Sequence, residues 1–218
     1  MFVMTREDEM ARASREEADK HREEVVGAAA RLFRERGIGG VSVPELMGEA
    51  GLTHGGFYRH FKSKDDLAAL ACSAAFAELA ATIATIGARH QGDGEAAERE
   101  LLETYLSPAH RDDPGSGCPT AALCGDVARE TKGSALRNAY AKGVHGMVDN
   151  LAKLASGKGR SQDHAKALAE LSTMVGALVL ARATRGDKLS GEILDAARKS
   201  LLSSTKARPG SVRKRRSS

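Results

Sequence analysis

From residue 21 onward the apolar side chains of this chain return every three or four positions, and that spacing restricts it to helices. Val25, Ala28, Ala29, Leu32 and Phe33 fall at i, i+3, i+4, i+7 and i+8, one stripe of an amphipathic helix rather than the alternation of a strand. Gly37 ends this helix, predicted over 21–36, because a residue without Cβ suits a helix terminus. A capping signature at 63–66 opens a long Ala-rich helix through Leu67, Leu70, Ala74 and Leu79. Further helices are predicted over 95–106, 119–130, 134–155, 162–185 and 190–203. They are separated by the breaker-rich run SPAHRDDPGSG, by Gly133, by SGKGR and by Gly186. The expected class is all-α.

Between the first helix and the long one lies a compact pattern. In SVPE at 42–45, Ser42 fits an N-cap, Glu45 its reciprocal partner, and Pro44 a position where a missing amide hydrogen matters little. Ala50 and Gly51 interrupt that short helix, and Thr53 can cap the next, which carries Phe57 and Phe61 on one side. Two short helices joined through a Gly-containing turn after a supporting helix make a helix-turn-helix, with Leu46, Ala50, Leu52, Phe57 and Phe61 as its small core. Burying both Phe side chains turns Gly55, Gly56 and Arg59 outward, with Tyr58 and His60 on the flanks.

The run LTHGGFYRHFKSK at 52–64 has no acidic residue. Two adjacent glycines disfavour a helix by roughly 1 kcal/mol each against Ala, so the backbone is expected to come close to something there, either the major groove of DNA or another helix packed at a corner. An acid-free surface with Arg59, Lys62 and Lys64 suits a polyanion. Net charge is weaker evidence. The +4 total depends on a basic tail at 206–218 holding six of the 33 Lys and Arg residues; without it the 29 acidic residues outnumber the basic ones. That tail is expected to be disordered and to add nonspecific phosphate attraction.

The stretch from Val26 to Leu67 resembles the DNA-binding domain of the tetracycline-repressor (TetR) family of bacterial transcription regulators. The resemblance rests on the aliphatic-Phe-Gly ending of the first helix, on VSVPEL and AGLT, and above all on FYRHFKSKDDL. It implies DNA contacts from Ser42, Thr53, His54, Gly56, Tyr58, His60 and Lys64, Tyr58 and Lys64 meeting phosphates. Glycine at both 55 and 56 leaves few side chains to read base edges, so specificity is expected to rest on Thr53, His54, Arg59 and DNA shape.

The organisation expected is a charged arm (1–20), the reader (21–66), a ligand-binding and dimerisation domain (67–204) and the basic tail (205–218). The last two helices carry apolar stripes, Leu168, Leu171, Val175, Leu178 and Val179, then Ile193, Leu194, Ala197 and Leu201. The resemblance implies a four-helix homodimer interface there, and the alternative is ordinary core. Expected pocket liners are Phe76, Leu102, Tyr105, Leu106, Cys118, Leu123, Tyr140, Val144, His145, Met147 and Met174. GCPTAALCGDVARE resembles a stretch near the effector pocket in one branch of the family.

The resulting expectation is a cytoplasmic repressor, released from palindromic operator DNA by a small-molecule effector. No cofactor, metal site or membrane span is expected: three cysteines show no CxxC, and the apolar run at 67–86 is half Ala with Glu78 inside it. Cys118, at a predicted helix start, raises a second reading as a thiol-based sensor. Other classes are an all-α enzyme, against which stands the lack of a phosphate loop, GxSxG or HExxH motif, and a nonspecific architectural protein.

Overall fold

The structure, a computed structural model, describes residues 6–156 and 161–206. The first five residues of the arm, most of the SGKGR link and the tail beyond Lys206 lie outside the described residues. Ten α-helices and one 3-10 turn form the described part, and no strand occurs among those residues.

α1 (Arg6–Arg36) is much longer than its apolar stripe. The sequence pattern marks only the half that packs; residues 15–20 are exposed, and an i,i+4 pair such as Lys20–Glu24 (3.8 Å) supports them at the surface. Gly37 terminates the helix in the left-handed region (φ 73°), its amide donating to the Phe33 carbonyl at 2.9 Å. α2 (Val43–Glu49) opens with the full capping box of Ser42 and Glu45. The turn after it needs Gly51 at φ 70°. The helix expected to run from Thr53 through Phe61 is shorter and broken: a 3-10 turn (His54–Gly56) leads into α3 (Phe57–His60), and Phe61 is already extended. Thr53 stands at the start without a capping hydrogen bond from its side chain.

Ser63 accepts from the Asp66 amide to start α4 (Lys64–Arg89). α5 (Gly94–Tyr105) follows, and the breaker-rich run holds a short helix, α6 (Pro108–Asp112), capped by Ser107 and begun by Pro108. Proline at the first position of a helix reads like a loop signal in sequence, which is why the helix was not expected. α7 (Pro119–Arg129), α8 (Ala135–Ser156), α9 (Ser161–Ala183) and α10 (Lys188–Lys206) complete the chain.

Two apolar cores share α4. Its first half joins α1, α2, α3, α7 and α8 through Phe33, Leu46, Phe57, Phe61, Leu67, Phe76 and Leu123. Its second half joins α5, α8, α9 and α10 through Ile83, Leu102, Leu106, Val148, Met174, Leu178 and Leu194. By length and composition α4 and α9 could cross a bilayer; here α4 packs along α1 and α8, and α9 against α8 and α10.

The stripes of the last two helices face largely inward. Leu171, Leu178 and Leu194 are buried within one chain, and Val175, Val179, Ile193, Ala197 and Leu201 are half-buried against the second core. The outward apolar side chains are Leu168, Leu180 and Leu189, 44%, 56% and 48% exposed.

The seam between α4 and α8 depends on Gly143. A Cβ built there would fall 2.2 Å from the Phe76 ring, whereas one at Gly146, a turn later, would meet nothing within 4 Å. Gly143→Ala is therefore expected to destabilise the fold by about 1–3 kcal/mol through overpacking. Gly146→Ala should be neutral or stabilising by up to about 1 kcal/mol. Urea denaturation of the two variants checks the pair.

Candidate nucleic-acid interface and interior clefts

Phe57 (0% exposed) and Phe61 (2%) anchor the short reader, ring centroids 5.3 Å apart. Their burial presents the other face of the segment to solvent. Tyr58 is 71% exposed, its ring edge-on to Phe57 at 5.2 Å. Thr53, His54, Gly55 and Arg59 are exposed as well, and Gly56 and His60 half-buried. Among the described residues no hydrogen bond or ion pair engages the side chains of Thr53, His54, Tyr58 or Arg59. Glu45 and Glu49 of α2 are paired with Arg36 (3.2 Å) and Arg31, and the projecting side chains of Thr53, His54, Tyr58 and Arg59 are a cluster of donors uncommitted among the described residues.

The two glycines have no internal reason. Gly56 has ordinary helical angles (φ −77°, ψ −18°), and a Cβ there would reach only ordinary contact, 3.6 Å from the Met47 methyl. At Gly55 a Cβ would meet nothing within 4 Å. The helix–helix corner that could have required them is not present. What remains is a backbone bare on its outer side, able to come close to another molecule.

Two of the residues proposed as DNA contacts have roles inside the chain. Ser42 donates its hydroxyl hydrogen and its amide to Glu45, each at 2.7 Å. These bonds hold the Glu45 carboxyl below its ordinary pKa. Lys64 is partly buried: its Nζ donates to the Ile38 carbonyl at 2.5 Å and lies 5.9 Å from the centre of the Phe33 ring. The Ile38 amide in turn donates to Asp126 of α7 at 3.1 Å. The loop after α1 is thus clamped between the start of α4 and the body. The sequence places Lys64 on the acid-free surface but does not show this bond, because the partner, a main-chain carbonyl 26 residues away, has no residue-type signature.

The pocket liners separate into three groups. Tyr105 and Cys118 line a cleft of about 320 Å³ between α4, α5, α6 and the loop before α7, where Arg34 of α1 also reaches in. Phe76 and Met147 line a second, of about 250 Å³, between α4 and α8. The rest line neither cleft: Leu102, Leu106, Leu123 and Met174 are core, and Val144 bridges the two cores. Tyr140 donates to the Thr120 carbonyl at 2.9 Å, and His145 is exposed on α8. Arg34 and His110, which the sequence did not single out, help form the first cleft.

His110 organises that cleft. Its Nδ1–H donates to the Tyr105 carbonyl at 2.7 Å and its Nε2 accepts the Cys118 amide at 3.1 Å. Both ring nitrogens are occupied in the neutral form, and burial holds the imidazole pKa below its usual value. Arg182 of α9 donates to the His110 and Arg111 carbonyls at 2.9 and 3.2 Å, and Arg111 to the Ser190 hydroxyl of α10 at 3.0 Å. No group of three or more metal-ligating side chains occurs among the described residues.

Residues 25–71 match the family described as bacterial regulatory proteins, tetR family. Over 58 residues the chain is 41% identical to the HTH-type transcriptional regulator AcrR of Shigella flexneri, covering 27% of each chain. It is 36% identical over 58 residues to the HTH-type transcriptional regulator TtgR of Pseudomonas putida, covering 27% of this chain and 28% of that one. The matched region thus spans about a quarter of these curated relatives. The fold likeness is broader. Escherichia coli NemR in its reduced form superposes with a TM-score of 0.71 at 20% identity, over 84% of this chain and 96% of that one. A TetR transcriptional regulator from Chloroflexus aurantiacus gives 0.70 at 24%, over 88% and 97%.

If DNA approaches this bare backbone, a side chain added there has a measurable consequence. Gly55→Ala should leave the fold intact or stabilise it, by up to about 1 kcal/mol, while weakening binding to duplex DNA at least tenfold. Thermal unfolding and gel retardation on one preparation check it; unchanged DNA affinity would remove the glycine pair from the interface.

Proposed function

We propose that this chain, whose residues 25–71 belong to the tetR family of bacterial regulatory proteins and whose fold is the one solved members share, is a ligand-responsive, DNA-binding transcription regulator. The observation that carries the reading is the outer side of segment 53–59: free of acids, exposed at Gly55 and at Thr53, His54, Tyr58 and Arg59, whose side chains have no hydrogen bond or ion pair among the described residues, with two glycines that neither backbone angles nor packing require. Thr53, His54 and Arg59 are the proposed readers of base edges, and Tyr58 a phosphate contact. Ser42 and Lys64 support the interface first of all by capping α2 and clamping Ile38. A Lys ammonium has three hydrogens, so Lys64 can also meet a phosphate while keeping Ile38.

The protein acts as a homodimer in this reading, because two readers on a palindrome multiply weak half-site contacts. The proposed interface is the outer face of α9 and α10, at Leu168, Leu180 and Leu189, rather than the buried Leu171, Leu178 and Leu194. Repression in the cytoplasm, with release by a small molecule, is the proposed mode; no catalytic step is involved. Release is noncovalent in this reading, since Cys118 is fully buried and the half-buried Cys124 thiol is turned to the Ala121 carbonyl of its own helix at 3.5 Å.

Selection from a randomised duplex library should converge on a palindromic site, and random DNA should compete poorly for it. On that site Arg59→Ala should relax base preference. Tyr58→Phe and Lys64→Ala should weaken specific and random DNA alike, Lys64→Ala lowering the salt slope by about one. Lys64→Ala should also lower stability by about 1 kcal/mol through the lost Ile38 bond. Leu180→Glu should give monomers with a folded core in sedimentation, whereas Leu178→Glu should unfold the chain, since it buries a charge without a partner. An intact Leu180→Glu dimer would move the interface elsewhere.

A further inference from the structure

The cleft between α1, α4, α5 and α6 has apolar walls, among them Leu79, Ile86 and Leu101. Two polar side chains in its lining have buried donors without a hydrogen-bond partner among the described residues: the Tyr105 hydroxyl and the Arg34 Nε–H. Buried polar groups left unpaired are rare enough to require an explanation. The Cys118 thiol beside Tyr105 does not meet the hydroxyl with hydrogen-bond geometry, and sulfur is a weak acceptor in any case. His110 cannot serve as the partner, since both its ring nitrogens are engaged.

Arg34 has further unused capacity. Its side chain is 4% exposed, yet its carboxylate partner Glu78, at 2.8 Å, is 54% exposed, and its bond to the Gly117 carbonyl is long, 3.4 Å. A second guanidinium, Arg182, lies directly behind Gly117, 2.7 Å from where a Cβ there would sit. The other acid at the cleft, Asp113, is exposed and occupied by Ser116, which lowers its pKa. Positive charge therefore lies inside and negative charge outside. Burial, then the neighbouring Cys118, keeps the Tyr105 phenol protonated and so a donor.

We infer that this cleft binds a small apolar molecule bearing a carboxylate, one oxygen accepting from the Tyr105 hydroxyl and the group as a whole from the Arg34 guanidinium. A planar fork of N–H groups fits a carboxylate in two places, and charge-assisted bonds of this kind are about twice as strong as neutral ones. About 320 Å³ is at the small end of the range for small-molecule sites, which selects a single ring or a short chain. Because Arg34 lies in the last turn of α1, such a ligand bonds directly to the helix that supports the reader. The inference rests on the regulator reading only for that consequence at DNA.

The test is calorimetric titration of the full chain, without DNA, with benzoate, phenylacetate, hexanoate and octanoate, and with their methyl esters. Saturable binding of at least one acid is expected, its ester binding at least tenfold more weakly. Tyr105→Phe removes a hydroxyl without a hydrogen-bond partner among the described residues, so its unfolding temperature should be unchanged or higher while its affinity for the acid falls about tenfold. Arg34→Lys, which keeps the charge but not the fork, should also bind more weakly, with helix content retained by circular dichroism. No saturable binding of any acid, equal binding of acid and ester, or full affinity in Tyr105→Phe would each overturn the assignment. Any of these with specific DNA binding intact leaves the regulator reading standing, whereas loss of specific DNA binding in the unsubstituted protein would refute that reading instead.

Discussion

Burial of one face of α4 in both apolar cores is the constraint from which the architecture follows. A single rigid helix of 26 residues has its first half inside one core and its second half inside the other. The reader is held to the body by Phe33, Phe61 and Leu67 meeting Phe76, Leu123 and Leu136 in one continuous cluster. Rotation or sliding of α4 must therefore disturb both cores together, and interfaces packed this tightly shift between discrete arrangements rather than deforming smoothly. Gly143, which lets the Phe76 ring lie against the backbone of α8, sets how closely that helix is seated.

Polar contacts add direction to this packing. The Ile38 loop is gripped at its amide by Asp126 of α7 and at its carbonyl by Lys64 of α4. Two elements distant in sequence thus fix one turn of chain at the exit of α1. On the opposite side, Arg34 ties the last turn of the same helix to Glu78 and Gly117. α1 ends in contacts to α4, to α7 and to the loop before α7, so its orientation reports on all of them.

Local signals in the sequence were legible where they were chemical. The Ser42–Glu45 capping box, the Ser63 cap, the terminus at Gly37 and the Phe57–Phe61 anchor are each written in a few adjacent residues, and each is found. Helix ends without an apolar stripe were not legible: residues 15–20 form helix while presenting only solvated side chains. α6 was hidden because Ser107 and Pro108 signal a turn and a helix start equally well. Long-range partners were the least accessible. Nothing near Lys64 announces Ile38, and an apolar stripe on α9 looks the same whether it faces its own chain, as Leu178 does, or a neighbour. The clefts show the same limit, since Arg34 enters from a helix that the sequence assigns to the reader alone.

The fastening of α6 has an asymmetry of its own. Arg182 grips this short helix through the carbonyls of residues 110 and 111, not through their side chains. Carbonyl oxygens are offered by every amino acid, so the grip makes no demand on what side chains those two positions carry. The side chains of the same two residues hold other partners, His110 the Tyr105 carbonyl and the Cys118 amide and Arg111 the Ser190 hydroxyl, so a substitution at either position loses those bonds while the grip of Arg182 on the main chain persists. The backbone of α6 is thus anchored to α9 whatever side chains it carries, while His110 ties the lining of the cleft to the ends of α5 and α7.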